Sequence, residues 1–393
     1  MTILPNYTHF ASANWDTGTV ANALAYAGQP IDEALIFGIG GGIVAGYFTF
    51  DFHGEDPHLT FLTRYSFDPL KVIYERLGIK PRVRQTDQPE LARRYLMETL
   101  DAGQPAIVLA DAYRLPYNNL QGDDFNWMMM PVLVYGHDDH HAHLADRAHV
   151  ALTVTAEELA AARGRVKKDK HRLWTLPPAD LDRLPAAVEA GLRTCLNSFY
   201  GDPPVAPLKN KFGFMAYQKW ADLLVNRKDK LAWSKYFAAG PRFYNGLTSA
   251  YRSIELLGTG GAASRPQYAD FLEQAAGLLN RPALKAAAAP FRAAAARWSE
   301  LGVALLPESV PLLAETRRLM QREQHLFAEQ GGASLAERQQ IAARRETLRR
   351  QWNDGAALNE AETAALCESL RERVLDVHDA EQVALADLRA ALG

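Results

Sequence analysis

The spacing of hydrophobic residues changes near residue 155. Upstream of this point, short runs rich in branched apolar residues predict buried strands at 105–111 and 131–136. Apolar residues at helical spacing predict helices over 68–77 and 89–102. Because strands and helices alternate here, we expect residues 1–155 to form an α/β or α+β domain.

Beyond residue 156 strand signals almost disappear, and apolar residues recur at the spacing of helices. A proline-rich connector at 201–207 separates a first helical stretch from a longer one. The longer stretch contains an aromatic cluster, which at this spacing is typical of a packed core: Phe212, Phe214, Tyr217, Trp220, Trp233, Tyr236, Phe237 and Phe243. We expect a helical connector at 156–206 and an all-helical domain at 207–393.

The last 60 residues predict a helical hairpin. Ser334 and Asn359 each begin a capping-box pattern, with a glutamate three residues later. The first arm (334–352) carries five arginines and two glutamates, whereas the second (354–393) carries nine acids and three arginines. Antiparallel pairing of the arms is therefore electrostatically favourable, by tenths of a kcal/mol for an exposed pair. Two separately solvated helix faces are an equal alternative.

Length and composition narrow the class of protein. The chain has 393 residues, which suits two domains, and its 48% hydrophobic and 23% charged residues are typical of a globular protein. A net charge of −3 argues against nucleic acid or an anionic membrane as a partner recognised through bulk charge. The longest uncharged run, 34–50, is too short to span a membrane. With only Cys195 and Cys367 and no signal-peptide pattern, a cytoplasmic location is expected.

A helix predicted near the start of the chain holds the most informative pattern. Asn14 can cap this helix, Asp16 suits the positive end of its dipole, and Gly28 ends it. Papain-like enzymes place their cysteine at such a helix N-terminus, because the dipole lowers the pKa of the thiol. Here that place holds Trp15. The next segment, 32–42, is too rich in glycine for a helix and does not fit a nucleotide-binding loop.

Two parts of the sequence resemble a known family. The first is similar to the N-terminal domain of the butirosin biosynthesis protein H family, through the motifs at 35–42 and 46–48. The second resembles the helical domain of unknown function that usually follows it, through the motifs at 220–224, 233–237 and 254–261. The resemblance implies a papain-like N-terminal fold, and acyl transfer from a carrier-protein thioester to an amine in specialised metabolism.

The sequence departs from this family at its reactive residues. The family has His-Cys-Glu at the helix start, where this chain has Asn14, Trp15 and Asp16. The family histidine matches Met130 or a neighbouring methionine, and the third polar residue matches Asp146. Because indole and thioether supply neither a thiolate nor a base, the resemblance implies no cysteine-linked acyl-enzyme at position 15.

Other residues are candidates to replace the missing nucleophile and base. His9 matches the place of an oxyanion-hole side chain and could act as a base, although a surface histidine is the favoured alternative. Cys195 and Cys367 lie in helical patterns without a nearby histidine, so we interpret them as structural thiols. The candidate catalytic region therefore comprises His9, Asn14, Trp15, Asp16, Met130 and Asp146.

Histidines near two turns are candidate metal ligands. Residues 132–145 predict two strands joined by a polar turn, and His141 and His143 share one face of the second strand. His53 and His58 lie beside two acids in another segment. Imidazole and carboxylate suit zinc or non-haem iron. Since exposed turns tolerate polar residues freely, a solvated loop is favoured over a metal site.

A glycine-rich turn is a candidate phosphate site. Its candidate ligand-binding residues are Gly258, Thr259, Gly260, Gly261 and Arg265. Their backbone N–H groups and the guanidinium could hold the phosphate of a pantetheine arm or of coenzyme A. A turn between two helices, with Ser264 capping the second, is the favoured alternative.

Three functional hypotheses follow. The first is a biosynthetic enzyme that orients a small amine against a carrier-protein or coenzyme A thioester without a thiolate. The second is a catalytically silent pseudoenzyme that binds a carrier protein, a ligand or an active paralogue. The third is a metal-binding cleft. The aromatic-rich helical domain also suggests a homodimer.

Overall fold

The computed structural model describes residues 2–10, 13–51, 56–120, 127–201, 206–356 and 358–393. The chain forms two compact units, each assembled from separate stretches of sequence. The strand unit comprises Met1–Ile36, Leu70–Leu184 and Arg322–Ala342, and the helical unit comprises Phe37–Pro69, Pro185–Gln321 and Ala343–Gly393. These discontinuous units differ from the consecutive domains expected from sequence, with boundaries at 155 and 206.

Nine strands are found among the described residues. In chain order they are β1 (Thr2–Ile3), β2 (Ile43–Phe50), β3 (His58–Arg64), β4 (Arg82–Arg84), β5 (Ala106–Asp111), β6 (Met129–His137), β7 (His141–Ala145), β8 (Leu152–Thr155) and β9 (Leu173–Thr175). The predicted strands at 105–111 and 131–136 are confirmed as β5 and β6. The predicted strand pair within 132–145 is confirmed as β6 and β7. β9 lies in the segment predicted to be a helical connector.

A seven-stranded sheet forms the centre of the strand unit, in the order β4-β9-β5-β6-β7-β8. β1 pairs with the end of β6, where Ile3 lies opposite Gly136. Every pairing in this sheet is antiparallel. β2 and β3 form a separate antiparallel pair that belongs to the helical unit. Its apolar side chains Tyr47 and Phe61 are buried there.

The helices of the described chain are α1 (Trp15–Tyr26), α2 (Glu33–Ile39), α3 (Pro69–Arg76), α4 (Pro89–Asp101), α5 (Ala156–Gly164), α6 (Leu184–Tyr200), α7 (Phe214–Val225), α8 (Trp233–Tyr236), α9 (Pro241–Glu255), α10 (Arg265–Leu278), α11 (Pro282–Leu305), α12 (Pro311–Gln330), α13 (Leu335–Gln351) and α14 (Glu360–Leu392). The coarse prediction, mixed strands and helices followed by a largely helical part, is therefore confirmed. None of the helices in the described ranges is long and apolar enough to cross a membrane.

The predicted cap of α1 is confirmed. The side chain of Asn14 accepts a hydrogen bond from the backbone N–H of Asp16 at 2.8 Å. Gly28 follows the helix with φ of +81°, a left-handed conformation that glycine adopts without steric cost. The helix packs on β6, and this fixes its first residue, Trp15, in the interior of the strand unit.

The prediction that 32–42 is non-helical is wrong, because Glu33–Ile39 forms α2. Asp32 accepts a hydrogen bond from the N–H of Ala34 at 2.8 Å and so satisfies the start of the helix. The glycines fall at its end. A Cβ on Gly38 would lie 2.2 Å from the ring of Phe271, so glycine permits this close approach.

The predicted C-terminal hairpin is also wrong, because α14 packs against α7 and α11. Its capping box at Asn359 and Glu362 is present, with both hydrogen bonds at 2.9 Å. Burial of apolar residues such as Val374 and Leu385 favours the packing of α14 against α7 and α11 over antiparallel pairing with α13. Each such side chain contributes roughly 1.5–3 kcal/mol, far more than an exposed charge pair. The other predicted capping box is absent, since Ser334 donates to the carbonyls of Leu326 and Gly331.

Candidate functional site

The start of α1 is held in place by a partly buried carboxylate. Glu33 accepts hydrogen bonds from the backbone N–H groups of Ala13 at 2.8 Å and Asn14 at 3.0 Å, and from the Thr17 hydroxyl at 2.8 Å. Burial raises the pKa of Glu33, although the three hydrogen bonds act in the opposite direction. These bonds fix the chain on either side of Trp15, whose exposure is 2%.

Arg147 occupies the space over the indole of Trp15. Its guanidinium carbon lies 4.2 Å from the centre of the Trp15 ring and 4.9 Å from the centre of the Phe327 ring. A guanidinium over aromatic rings at these distances is attracted by their negative faces. The indole at the helix start is therefore covered by a cation of the same chain.

Asp146 binds the same guanidinium. The Nε of Arg147 donates to Oδ1 of Asp146 at 3.2 Å, and Nη2 donates to Oδ2 at 3.2 Å. Nη2 also donates to the side-chain oxygen of Asn118. The Tyr117 hydroxyl donates to Oδ2 of Asp146 at 3.1 Å. Burial, reinforced by the Asp146 charge, raises the pKa of Tyr117 well above its ordinary value, so the phenol stays a donor.

We call these residues the Arg147 cluster, comprising Trp15, Tyr117, Asn118, Asp146, Arg147 and Phe327. The side chains of Asp146 and Arg147 are only 2% and 12% exposed. A second arginine, Arg338, also lies over Phe327, with its guanidinium carbon 5.2 Å from the centre of the Phe327 ring. It donates to the carbonyl of Tyr117 at 2.6 Å, which ties down the turn carrying Tyr117 and Asn118.

The structure brings together part of the predicted catalytic region. Asn14, Trp15 and Asp16 are consecutive at the start of α1, and Arg147 links Trp15 to Asp146. Met130 is half-buried in β6, opposite Ala110 of β5. The ring of His9 makes an edge-on contact with Tyr7, with ring centres 5.8 Å apart. The cluster itself contains no thiol and no imidazole, so it cannot supply a thiolate and its base.

Arg147, Tyr117 and Phe327 are not among the site residues predicted from the sequence. One local signal existed, since Arg147 directly follows Asp146 in the sequence. The two rings that enclose its guanidinium come from distant segments, α1 and α12, so no local pattern indicates the stack.

The predicted phosphate ligand Arg265 points into the helical unit and is fully buried. Its Nε donates to Glu381 at 2.5 Å, and Nη1 donates to the carbonyls of Ala263 at 2.6 Å and Thr63 at 2.9 Å. Nη2 donates to the hydroxyl of Tyr217 at 3.2 Å. All three nitrogen atoms of the guanidinium donate hydrogen bonds inside the protein, which argues against the predicted contact with phosphate.

The glycine-rich turn itself connects α9 to α10. The N–H of Gly261 donates to the Thr259 hydroxyl at 3.1 Å, and the N–H of Ala262 donates to Glu255 at 3.0 Å. Ser264 does not cap α10 with its side chain. Gly258 and Gly260 are left-handed, with φ of +64° and +65°. The favoured prediction, a turn between two helices, agrees with this geometry. The prediction that Ser264 caps the second helix is wrong.

The candidate metal ligands do not assemble in the part of the chain that the structure describes, where no group of three or more potential ligands could hold a metal ion. His53 lies outside the described residues. His58 begins β3, and His141 and His143 lie two residues apart in β7. The imidazole of His141 is instead 3.7 Å from the carboxylate of Asp138 in the polar turn.

Both thiols are buried. Burial raises the pKa of Cys195 to about 12 and that of Cys367 to about 12, with the charge of Glu368 adding to the shift at Cys367. Thiols with these pKa values remain protonated near neutral pH, so neither has the character of a nucleophile.

The helical unit contains a cavity of about 580 Å³. Trp233, Phe237 and Phe243 give it an aromatic wall, and Arg227 and Glu368 also line it. The volume is within the range of about 300–1,000 Å³ typical of small-molecule sites. An apolar wall with charges of both signs suits an amphipathic small molecule.

Comparison with known proteins gives two family matches. Residues 14–147 match the family described as butirosin biosynthesis protein H, N-terminal. Residues 157–322 match a domain of unknown function, DUF4872. A search of curated proteins found no match to the chain. The two matched segments follow each other in the order typical of this architecture, and the chain therefore belongs to the butirosin biosynthesis protein H family.

Proposed function

We propose that the chain serves butirosin-type specialised metabolism as a catalytically silent binding protein. In this role it binds an acyl-carrier protein or a related thioester-bearing partner and forms no acyl-enzyme. The observation that carries the proposal is the Arg147 guanidinium, which lies between Trp15 and Phe327 and is bound to Asp146.

Covalent acyl transfer requires a nucleophile and a base within hydrogen-bond reach. In the family pattern these are a cysteine at position 15 and a histidine near position 130. An indole and a thioether stand at those places in this chain. The third polar residue of the family pattern matches Asp146, which binds Arg147 instead of orienting a base. Asp146 therefore stabilises the interior of the strand unit.

The papain-like fold is part of this proposal. The antiparallel sheet of the strand unit, with α1 packed on β6 and capped by Asn14, supports it. Such a fold would retain the family's binding surfaces after the loss of its reactive groups.

Acyl transfer by proximity alone, with a small amine aligned against a bound thioester, is less well supported. That mechanism needs polar groups that contact both reactants. The exposed fractions of Asn14, Trp15 and Asp146 are 1%, 2% and 4%. These groups therefore contact the interior of the strand unit and offer little surface to an amine.

The test incubates the protein with acylated carrier proteins and a panel of primary amines. Intact-protein mass spectrometry and product analysis should show neither a mass increase on the chain nor an amide above the rate without protein. Isothermal titration calorimetry should show a complex with at least one carrier protein. Release of the acyl group by hydroxylamine verifies that each donor is loaded. An acyl adduct, or protein-dependent amide formation, would refute the silent assignment.

A further inference from the structure

A cationic loop in the strand unit joins α5 to β9. Four exposed cations follow one another closely in this loop: Lys167, Lys168, Lys170 and Arg172. Asp169 is the one acid among residues 167–172. Within the described parts of the chain, none of the four cations has an ion-pair partner. We call this segment the cationic loop.

The loop is held in one conformation by a buried arginine. Arg163, which is 3% exposed, donates to the carbonyl of His171 at 2.8 Å and to the carbonyl of Ala92 at 3.5 Å. The N–H of Thr86 donates to the carbonyl of Lys170 at 2.8 Å. The backbone of the loop is therefore fixed to the body of the strand unit from two sides.

The backbone of the loop is also strained. Lys170 and His171 both adopt left-handed conformations, with φ of +48° and +46°. Such a conformation costs roughly 1 kcal/mol or more for each residue that is not glycine. Gly164 makes the close packing of the loop feasible, because a Cβ there would lie 2.8 Å from the His171 ring. A strained backbone persists only where surrounding contacts hold it, so the backbone that carries the exposed cations is preorganised.

We infer that the cationic loop is a docking surface for an acidic patch on a partner protein. The inference rests on the proposed function, in which that partner is the carrier protein. Because the backbone that carries these unpaired cations is already fixed, binding has to order only their side chains, and the cations attract carboxylates without first breaking internal ion pairs.

A protein fits the loop better than a nucleic acid does. The cations are confined to one short segment of a chain whose net charge is −3. Charges further apart than a Debye length of about 8–10 Å are largely screened, so a long polyanion gains attraction only along this short segment. The segment 167–172 also contains no Phe, Tyr or Trp on which a base could stack. A compact acidic patch meets only the local positive charge.

The test compares two triple variants of the full chain. In the first, Lys167, Lys168 and Lys170 are replaced by glutamate. In the second, the same change is made at Lys228 and Lys230, which follow α7, and at Lys285 of α11. All six lysines are exposed, so the variants share the same change in net charge and differ in its location. Circular dichroism verifies the fold of each variant.

The probe is an acidic holo carrier protein, titrated at about 50 mM and 200 mM salt. The loop variant should bind at least about 30-fold more weakly than the wild type at low salt, because three attractions become repulsions. The control variant should stay within about threefold. Only the wild type and the control should lose affinity steeply as salt rises.

A second variant, Gly164→Ala, keeps every charge but places a Cβ 2.8 Å from the His171 ring, so that this ring of the loop must move. Weaker binding by this variant, with unchanged net charge, supports the preorganised geometry over charge alone. Equal weakening of both triple variants overturns the inference in favour of bulk charge.

Three other outcomes also decide the matter. Unchanged binding by the loop variant overturns the docking surface while leaving the proposed binding function intact. Tighter binding of duplex DNA than of the carrier protein at equal salt overturns the choice of partner. Failure of the wild type to bind any acidic carrier protein overturns both proposals, whereas an acyl adduct overturns only the silent assignment.

Discussion

Replacing Arg147 with alanine removes the group that joins Trp15, Asp146 and Phe327. The substitution leaves a carboxylate whose side chain is 2% exposed without its cation, and it opens a gap between two rings. Loss of one partner of a buried ion pair typically costs about 3–5 kcal/mol. Two cation–π contacts add about 0.5–1 kcal/mol each.

Because Arg147 retains some exposure, we expect the lower part of the combined range, a loss of about 4–5 kcal/mol in the free energy of unfolding. Arg147→Lys keeps the charge but not the planar fork, and should cost about 1–2 kcal/mol. Asp146→Ala combined with Arg147→Ala should be less damaging than the sum of the single changes, because no uncompensated charge then remains.

The assay is urea unfolding, followed by circular dichroism and by hydrogen exchange of the amides in α1. The exchange measurement reports on the strand unit separately, which matters if the two units unfold at different urea concentrations. Arg94→Ala is the matched control, because Arg94 lies in the same unit with its side chain 68% exposed. The control should change stability by less than about 0.5 kcal/mol. An Arg147→Ala protein within 0.5 kcal/mol of the wild type would refute the reasoning.

Three further predictions concern buried groups. Glu381→Gln should destabilise the helical unit by about 3–5 kcal/mol in urea unfolding, because the buried charge of Arg265 then has no carboxylate partner. The exposed Arg172 provides the control, and an equal loss of stability in Arg172→Gln would contradict this prediction. Cys195 and Cys367 should resist iodoacetamide at pH 8 and react in urea, since at pKa values of about 12 roughly one thiol in ten thousand is ionised; rapid native alkylation would contradict their burial. Burial, aided by the charge of Arg93, lowers the pKa of His137 in the folded protein. The neutral imidazole therefore contributes stability that is present above about pH 6.5, the unfolded pKa, and is lost as the pH falls through the lower pKa of the folded state. Unfolding measured at pH 7.5 and 5.5 should show a smaller acid loss in His137→Asn, and an unchanged loss would exclude this histidine as a cause.

The elements that sequence predicted well are those set by neighbouring residues. The cap at Asn14 and the end at Gly28 lie within one local pattern, and β5 and β6 are short runs of branched apolar residues. The helix α2 was missed because its glycines were counted against it. Gly38 is instead selected by contact with Phe271, a residue of another helix.

The chemistry of the site was harder to predict because its partners are far apart in sequence. Arg265 has the residue type and the glycine-rich setting of a phosphate ligand. It is instead buried in an ion pair with Glu381, which lies 116 residues later in the sequence. In the same way, the resemblance implies that Trp15 stands where the family has a thiol, while only the structure shows that Arg147 covers its ring. That answer depends on Phe327 in α12, which no pattern around Arg147 reveals.

The position of the Arg147 guanidinium can be measured by NMR of protein labelled with ¹⁵N-arginine. A guanidinium held over an indole and bound to a buried carboxylate should give an Nε–H signal that is shifted upfield by the ring and exchanges slowly with water. The signal should be absent in Arg147→Lys, and in Trp15→Leu it should lose its upfield shift. An Arg147 Nε–H signal at the position of an exposed arginine, with fast exchange, would contradict the claim that this cation fills the place beside Trp15.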